Sequence, residues 1–381
     1  MKVSVNKGLN INLEGSPAKK LTETRHPKVI AIKPTDFPNL MPKMLVKVGD
    51  EVKCGSPVFC DKYNDQIIFS SPVSGQIKEI VRGAKRRILA VTISSDDKMT
   101  QKNSNSIDLS SLNREDLKSE LMSNGLWPLL RMRPIDIIAL PKDTPKSIFI
   151  SSFDSNPLSP DYNFIMSGKY AEFNAGLEVL SKLTDGTVHL QTRNDADKVF
   201  SEAKNVQVNT VSGPHPAGNV GVQIHNIDTI NKGEVVWYIN PQDVMVIGRF
   251  SLTGAYDASK VIAVGGSNIS NAKYYKTISG ASIDSIINQS DVSDNSRIIS
   301  GNPLTGVQVD FDGFLGFYSH QISVLPEGNQ HKFFLTEGWL SAGFKKLSAS
   351  KAYPSWLLSK SKIYNVDTNL NGEERAFVVS G

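Results

Sequence analysis

Strand-sized apolar pieces separated by turn residues fill the first hundred positions: Val29 to Ile32, Met44 to Val48, Ile67 to Phe69, Ile77 to Val81 and Ile88 to Ile93. Turns built on Gly49-Asp50, Gly55, Pro72, Gly75 and Gly83 divide them. The pattern predicts an all-β unit over residues 1–100. Serine, asparagine and aspartate then take over from Thr100 to Ser111, which reads as a linker. A helix is expected from Asn113, whose side chain can cap free amides while Asp116 answers three residues later, to Gly125, a left-handed C-cap residue. Between Ser147 and Val211 the order is strand, helix, strand, helix, strand. Its long helix runs from Asp161 to Leu183, with Phe173, Gly176, Leu177 and Leu180 on one face. Such alternation implies parallel pairing, hence a Rossmann-like α/β core over 112–250. Glu234 to Phe250 reads as strands broken by Asn240-Pro241. Tyr256 to Leu325 reads as a small α+β unit with strands at Val261 to Val264, Arg297 to Ile299 and Val307 to Val309 and a helix near Ile283 to Asn288. That order suits a β-grasp, the plan of soluble-ligand-binding domains, over 251–330. The fold class is therefore α/β multidomain.

The densest punctuation is VSGPHPAGNVGVQIHNI, Val211 to Ile227. Proline lacks a donor and glycine tolerates positive φ, so neither helix nor ladder continues through Gly213, Pro214, Pro216 and Gly218, after which a short apolar segment follows. A structured loop after a strand end is expected, and such loops are where α/β sheets meet ligands. Gly213, His215, Pro216 and Gly218, with His225 downstream, are the candidate ligand or partner residues, His215 being a titratable donor. A rigid connection between domains explains the same residues. After the first strand of the core comes FDSNPLSPDY instead of a glycine-rich turn. Asp161 suits a helix cap, but Asp154 and Asp161 would repel a phosphate, and no G-x-G-x-x-G occurs in the chain. The core is read as one without nucleotide binding. Arg131 and Arg133, set among apolar residues, fit surface salt bridges or an anionic partner.

Composition narrows the classes. The 381 residues are 39% hydrophobic and 21% charged, enough for several domains with proper cores. A net charge of +4 gives no footprint for nucleic acid. Apolar runs stay strand-sized and the N-terminus lacks the core of a secretion signal, so a cytoplasmic chain is expected. Cys54 and Cys60 match no zinc or iron–sulfur spacing and read as structural thiols, and no metal site is expected. No catalytic triad or acid–base pair stands out, so no catalytic residue and no bound cofactor is assigned.

MLVKVGDEVKCGSPVF followed by SSPVSGQIKEI resembles the barrel-sandwich hybrid of biotinyl and lipoyl carrier domains. Lys62 sits near the carrier lysine's place, but the hairpin is too long, which favours a reused scaffold. GPHPAG with its downstream histidine, VVWYINPQDVMVIG, KVIAVGGS, FLGFYSHQISVLPEG, MPKMLVKVGDEVKCG, RGAKR and SNGLWPLLRMRP together resemble, over the whole chain, the A subunit of the Na+-translocating NADH:quinone oxidoreductases. The resemblance implies a peripheral subunit on the cytoplasmic side of the bacterial inner membrane, in a six-subunit complex that oxidises NADH, reduces ubiquinone and exports sodium. It implies flavins and an iron–sulfur centre on other subunits, none in this one, with ubiquinone as a ligand. It also implies a further helical segment beyond Gly381, so the chain reads as truncated. The rival is a flavin- or NADH-binding subunit of a related Rnf-type electron transport complex, but the glycine-rich loop and clustered cysteines it needs are missing. Residues 331–381 are read as a docking segment in which Trp339 and Trp356, among other apolar residues, are interleaved with Lys345, Lys346 and further lysines, a mixture suited to an apolar partner in anionic surroundings.

Overall fold

The structure is a computed structural model, and the residues described are 1–102, 108–330, 333, 342–344, 346–347, 353–357 and 362–368. Two short strands open it, β1 (Lys2–Ser4) and β2 (Ala18–Glu23). Neither pairs nearby: β1 lies parallel to residues 210–212 and β2 parallel to residues 273–276. The antiparallel strands β3 (Val29–Ile32), β4 (Pro42–Met44), β5 (Glu51–Val52), β6 (Pro57–Asp61), β7 (Ile68–Ser70), β8 (Gly75–Arg82) and β9 (Ile88–Ser95) follow. They form one sheet in the order β3-β9-β8-β5 and a second in the order β4-β6-β7. Their inward residues, among them Ile30, Phe59, Phe69, Ile77 and Val91, are buried, with the Phe59 and Phe69 rings stacked at 4.7 Å. The strand expected over Met44 to Val48 ends at Met44, and residues 47–50 form a turn in which the Lys47 amide donates to the Asp50 carboxylate.

Helix α1 (Arg114–Ser123) starts where the cap predicts: the Asn113 side chain accepts from the Asp116 amide at 3.0 Å. Asp116 answers the Asn113 side-chain amide at 2.6 Å. The chain continues through β10 (Arg131–Arg133), β11 (Ile137–Ile138), β12 (Ser147–Ser151), α2 (Tyr162–Met166), α3 (Tyr170–Ser181), β13 (Thr187–Thr192), α4 (Lys198–Ser201), β14 (Gln207–Ser212), α5 (Val220–Ile227), β15 (Val236–Ile239) and α6 (Pro241–Thr253). These strands and β1 make a seven-stranded sheet in the order β1-β14-β13-β12-β15-β10-β11, parallel from β1 to β15. Two expectations need correction. The helix from Asp161 to Leu183 is two helices, broken where Gly168 takes φ +78°. The segment from Glu234 to Phe250 is one strand followed by a helix. Asn240 is the helix cap, accepting from the Gln242 amide at 3.0 Å, and Pro241 takes the first helical position, where its missing N–H costs nothing. The apolar run Val244 to Ile247 misleads because α6 is buried on nearly every side.

The last sheet contains β16 (Ser259–Gly265), β17 (Lys273–Ile278), β18 (Ser296–Ser300), β19 (Val307–Val309) and β20 (Gln321–Pro326), with α7 (Ile283–Ile286) between β17 and β18. Its order is β19-β18-β20-β16-β17-β2. A separate small core, including Ile262, Ile283, Leu315 and Ile322, lies beneath it. Residues 362–368 return to the N-terminal segment, where the Glu14 amide donates to the Tyr364 carbonyl at 3.0 Å. Among the described residues no helix is long and apolar enough to cross a membrane.

Candidate functional site

The order of the parallel sheet creates a crevice. From β12 the chain steps outward through β13 and β14, then returns to place β15 on the other side of β12. Loops leaving the carboxyl ends of β12 and β15 therefore diverge, the position where open α/β sheets hold ligands. A cleft of ≈ 590 Å³ lies there. Phe153 and Asp154 line it after β12, Asn240 after β15, and Asn219 at the start of α5. The other sheets close it: Lys33 and Asp36 come from the turn after β3, and Ser300–Asn302, Thr305–Val307 and Gly316–Gln321 from the loops around β18 and β20.

Its polar walls are paired. Arg131 and Arg133 from β10 share Asp136, at 2.9 and 3.6 Å, and the Tyr238 hydroxyl donates to the same carboxylate. The Arg131 guanidinium also lies 4.5 Å from the centre of the Tyr318 ring. Both arginines are thus ion-paired as expected, but inside the cleft wall. Lys33 donates to the Phe314 carbonyl at 3.1 Å, and Asp36 accepts from the Phe317 amide at 2.8 Å. Burial raises the Asp36 carboxyl above its ordinary range, against the pull of Lys33. Burial likewise raises Asp154, whose oxygen accepts from the Asn156 amide and side chain at 2.8 and 2.6 Å. Asp161 caps α2 and pairs with Lys19 at 2.6 Å.

Of the residues singled out in the loop after β14, Gly218 reaches the cleft. Its amide donates to Ser155 Oγ at 2.8 Å, and a Cβ there would lie 2.4 Å from the Ser155 nitrogen. His215 Nδ1 meets the same hydroxyl at 3.1 Å, and its carbonyl accepts from the Leu9 amide at 2.9 Å. Gly213 (φ +123°) passes so close to the N-terminal segment that a Cβ would sit 2.1 Å from the Val5 carbonyl oxygen. The Pro216 carbonyl accepts from the Asn219 amide at 2.9 Å. The loop thus braces the cleft wall from behind. His225 is exposed on α5 and is not brought to His215. Cys54 and Cys60 are free and buried, and burial pushes the Cys54 thiol up to about 11. Lys62 is exposed. Among the described residues no cluster of three or more metal-ligating side chains occurs. Trp339 and Lys345 lie outside the described residues, the backbone of Trp356 lies in the turn Pro354–Leu357, and the Lys346 ammonium sits 5.1 Å from the Tyr353 ring centre.

Lys33, Tyr162, Tyr238 and His320 escaped the sequence reading. Each comes from a different element, and only the strand order brings them together. The one local signal was Asn-Pro after an apolar run, a helix start at a strand end.

Residues 3–96 match the NqrA N-terminal barrel-sandwich hybrid domain, residues 112–256 the NqrA second alpha/beta domain, and residues 261–310 the NQRA C-terminal domain. Over all of its length the chain is 34% identical to the A subunit of the Na(+)-translocating NADH-quinone reductase of Vibrio vulnificus (strain YJ016), covering 84% of that protein. It is 35% identical to the same subunit of Pasteurella multocida (strain Pm70), again over 100% of this chain and 84% of the relative. For the corresponding protein of Rhodopirellula baltica the figures are 35% identity over 99% of this chain and 83% of the relative. Among solved structures, the air-oxidized NAD+-reducing [NiFe]-hydrogenase is similar over 49% of this chain and 41% of its own, at 12% identity and a TM-score of 0.36, too slight to bear on fold or function.

Proposed function

The chain belongs to the family of the A subunits of Na(+)-translocating NADH-quinone reductases, and on that premise we propose that it is a peripheral member of such a complex that holds quinone and carries no redox centre of its own. The full-length identity to subunits of that name carries this reading. NADH oxidation, ubiquinone reduction and sodium export belong on it to the assembled six-subunit complex, with the flavins and the iron–sulfur centre on other subunits and this chain at the cytoplasmic face. Two isolated buried thiols are in keeping with that division, since a cluster needs several thiolates. The domain plan that goes with it is a barrel-sandwich hybrid over 1–100, a Rossmann-like domain over 112–250, a β-grasp domain over 251–330 and a docking segment over 331–381.

The cleft is where a quinone ring fits best. Its volume of ≈ 590 Å³ is within the range of small-molecule sites. Phe153, Tyr162, Tyr238 and Phe317 provide aromatic faces, while Lys33, Arg131 and Arg133 provide donors for carbonyl oxygens, which only accept. His215 and Gly218 support this site through Ser155, while Gly213 packs on the N-terminal segment and the Pro216 carbonyl holds the Asn219 amide. The test uses the purified chain, its visible spectrum and calorimetric titration with a short-chain ubiquinone. Saturable binding without flavin or iron absorbance is expected. Asn219→Trp, at an exposed lining position whose side chain makes no capping bond, should fill the cleft and abolish binding. Stoichiometric flavin absorbance, or quinone binding unaffected by Asn219→Trp, would overturn the proposal.

A further inference from the structure

A histidine, His320, is among the residues lining the cleft. We infer that His320 presents its Nε2–H as a fixed hydrogen-bond donor to a carbonyl oxygen of the bound ligand, with Gln242 setting its tautomer, an inference that rests on reading the cleft as the quinone site.

The orientation of Gln242 is settled by its neighbours. The residue is 1% exposed at the start of α6. Its Oε1 accepts from the Val261 amide at 2.8 Å, and an N–H can only donate, so the oxygen must be on that side. The Nε2 therefore donates, to the Val261 carbonyl at 2.8 Å and with its second hydrogen to His320 Nδ1 at 3.2 Å. A nitrogen facing an N–H must offer its lone pair. Neutral imidazole carries one proton, and it then resides on Nε2. Protonation of Nδ1 would set two donors against each other. Burial and the nearby Lys260 ammonium hold the His320 pKa well below its ordinary value, which keeps the ring neutral.

The ring is held in place and has an open side. The His320 carbonyl accepts from the Ala263 amide at 3.0 Å, which ties the residue to β16 at the entrance to β20. His320 lines the cleft, and among the described residues no protein group bonds its Nε2. Tyr162, its ring 6.4 Å away, is built by the same logic. Asn240 Oδ1 accepts from the Gln242 amide, so Asn240 Nδ2 donates to the Tyr162 oxygen at 2.6 Å, which leaves the hydroxyl hydrogen to be given elsewhere. A preset donor raises affinity because no reorganisation is spent on binding.

Two replacements separate the roles of the ring nitrogens. In His320→Gln the side-chain amide nitrogen can take the place of Nε2 and keep a donor in the cleft. In His320→Asn the amide reaches only the Nδ1 position and keeps the contact with Gln242 alone. Titrating the full chain with a short-chain ubiquinone should show affinity about tenfold weaker for His320→Asn and within about threefold of wild type for His320→Gln. On wild-type protein, imidazole nitrogen NMR should show His320 neutral with its proton on Nε2, and the Nε2 resonance should shift on ligand addition. Equal affinity in both variants, or a proton on Nδ1, would overturn the role of His320 while leaving the cleft as the quinone site. Absence of any quinone binding by wild type would remove both. If His320→Asn fails to fold, the NMR measurement alone decides.

Discussion

At the scale of single residues, burial sets the chemistry more strongly than charge pairing. Asp243, on α6, is 7% exposed and shares a void of ≈ 20 Å³ with Lys260 and Tyr256. Desolvation raises its carboxyl from 3.8 to about 6, although Lys260 pulls the other way. A raised folded-state value means that the folded protein prefers the protonated acid. The resulting stabilisation is complete below 3.8 and is lost as pH rises through about 6. Asp243→Asn removes the titration. Denaturant melts between pH 4 and 7 should show wild type losing up to about 3 kcal/mol relative to the variant; parallel stability curves would contradict this. Nothing in NPQDVMVIG marks Asp243 as buried, since that depends on what covers α6. The cap residues are different. Asn113, Asp161 and Gly125 were legible because caps act within a few residues: the two side chains accept from amides two or three residues on, and the Gly125 amide donates to the Met122 carbonyl three residues back.

At the scale of elements, the crossing of α3 and α6 is set by two glycines. A Cβ on Gly248 would lie 1.8 Å from the Glu172 carbonyl oxygen, and one on Gly176 would lie 2.1 Å from that of Val244. Both obstacles are backbone, so a side chain can enter only by separating the helices. Gly248→Ala should therefore destabilise the protein by about 3 kcal/mol, in spite of alanine's better helix propensity. Thermal unfolding with intact helical circular dichroism would check it; a variant as stable as wild type would mean that the helices are free to move apart. The hydrophobic pattern placed Gly176 on the inner face of its helix correctly. It misassigned α6 as strand, because the apolar run Val244 to Ile247, buried throughout, carries no periodicity. β1 and β2 were also missed: each is short and pairs with a strand far along the chain, β1 with residues 210–212 and β2 with residues 273–276.

At the scale of the whole molecule, the cleft exists because three sheets meet, and assembly is expected to involve the other end of the chain. Phe344 and Leu357 are 56% and 68% exposed, while Tyr353 is buried and carries the Lys346 ammonium over its ring. We propose that the segment around Trp356 docks on the membrane subunits of the complex, with lysines at the rim. A buried tryptophan anchor contributes on the order of 2 kcal/mol or more to such an interface. Trp356→Ala should leave the melting temperature of the isolated chain unchanged and reduce its retention in the purified complex. Lost folding with normal retention of the surviving protein would place the tryptophan in this chain's own packing instead.

What acts locally could be read along the chain: the strands β3, β7, β8 and β9, the capped helices, the alternation behind the parallel pairing of β12, β13 and β14, and a loop at the end of β14. The motifs also pointed to the family. Those properties depend on steric and hydrogen-bonding preferences within a few residues. The position of the cleft came from the fold alone, because a switch point depends on which side of β12 the strand β15 is laid. Only the folded chain places Lys33, Tyr162, Tyr238 and His320 around one volume. Folding likewise makes Gly218 a brace behind Ser155, raises the pKa of Asp243 and sets the tautomer of His320. Each of these is an effect of distance and burial between segments far apart in the chain.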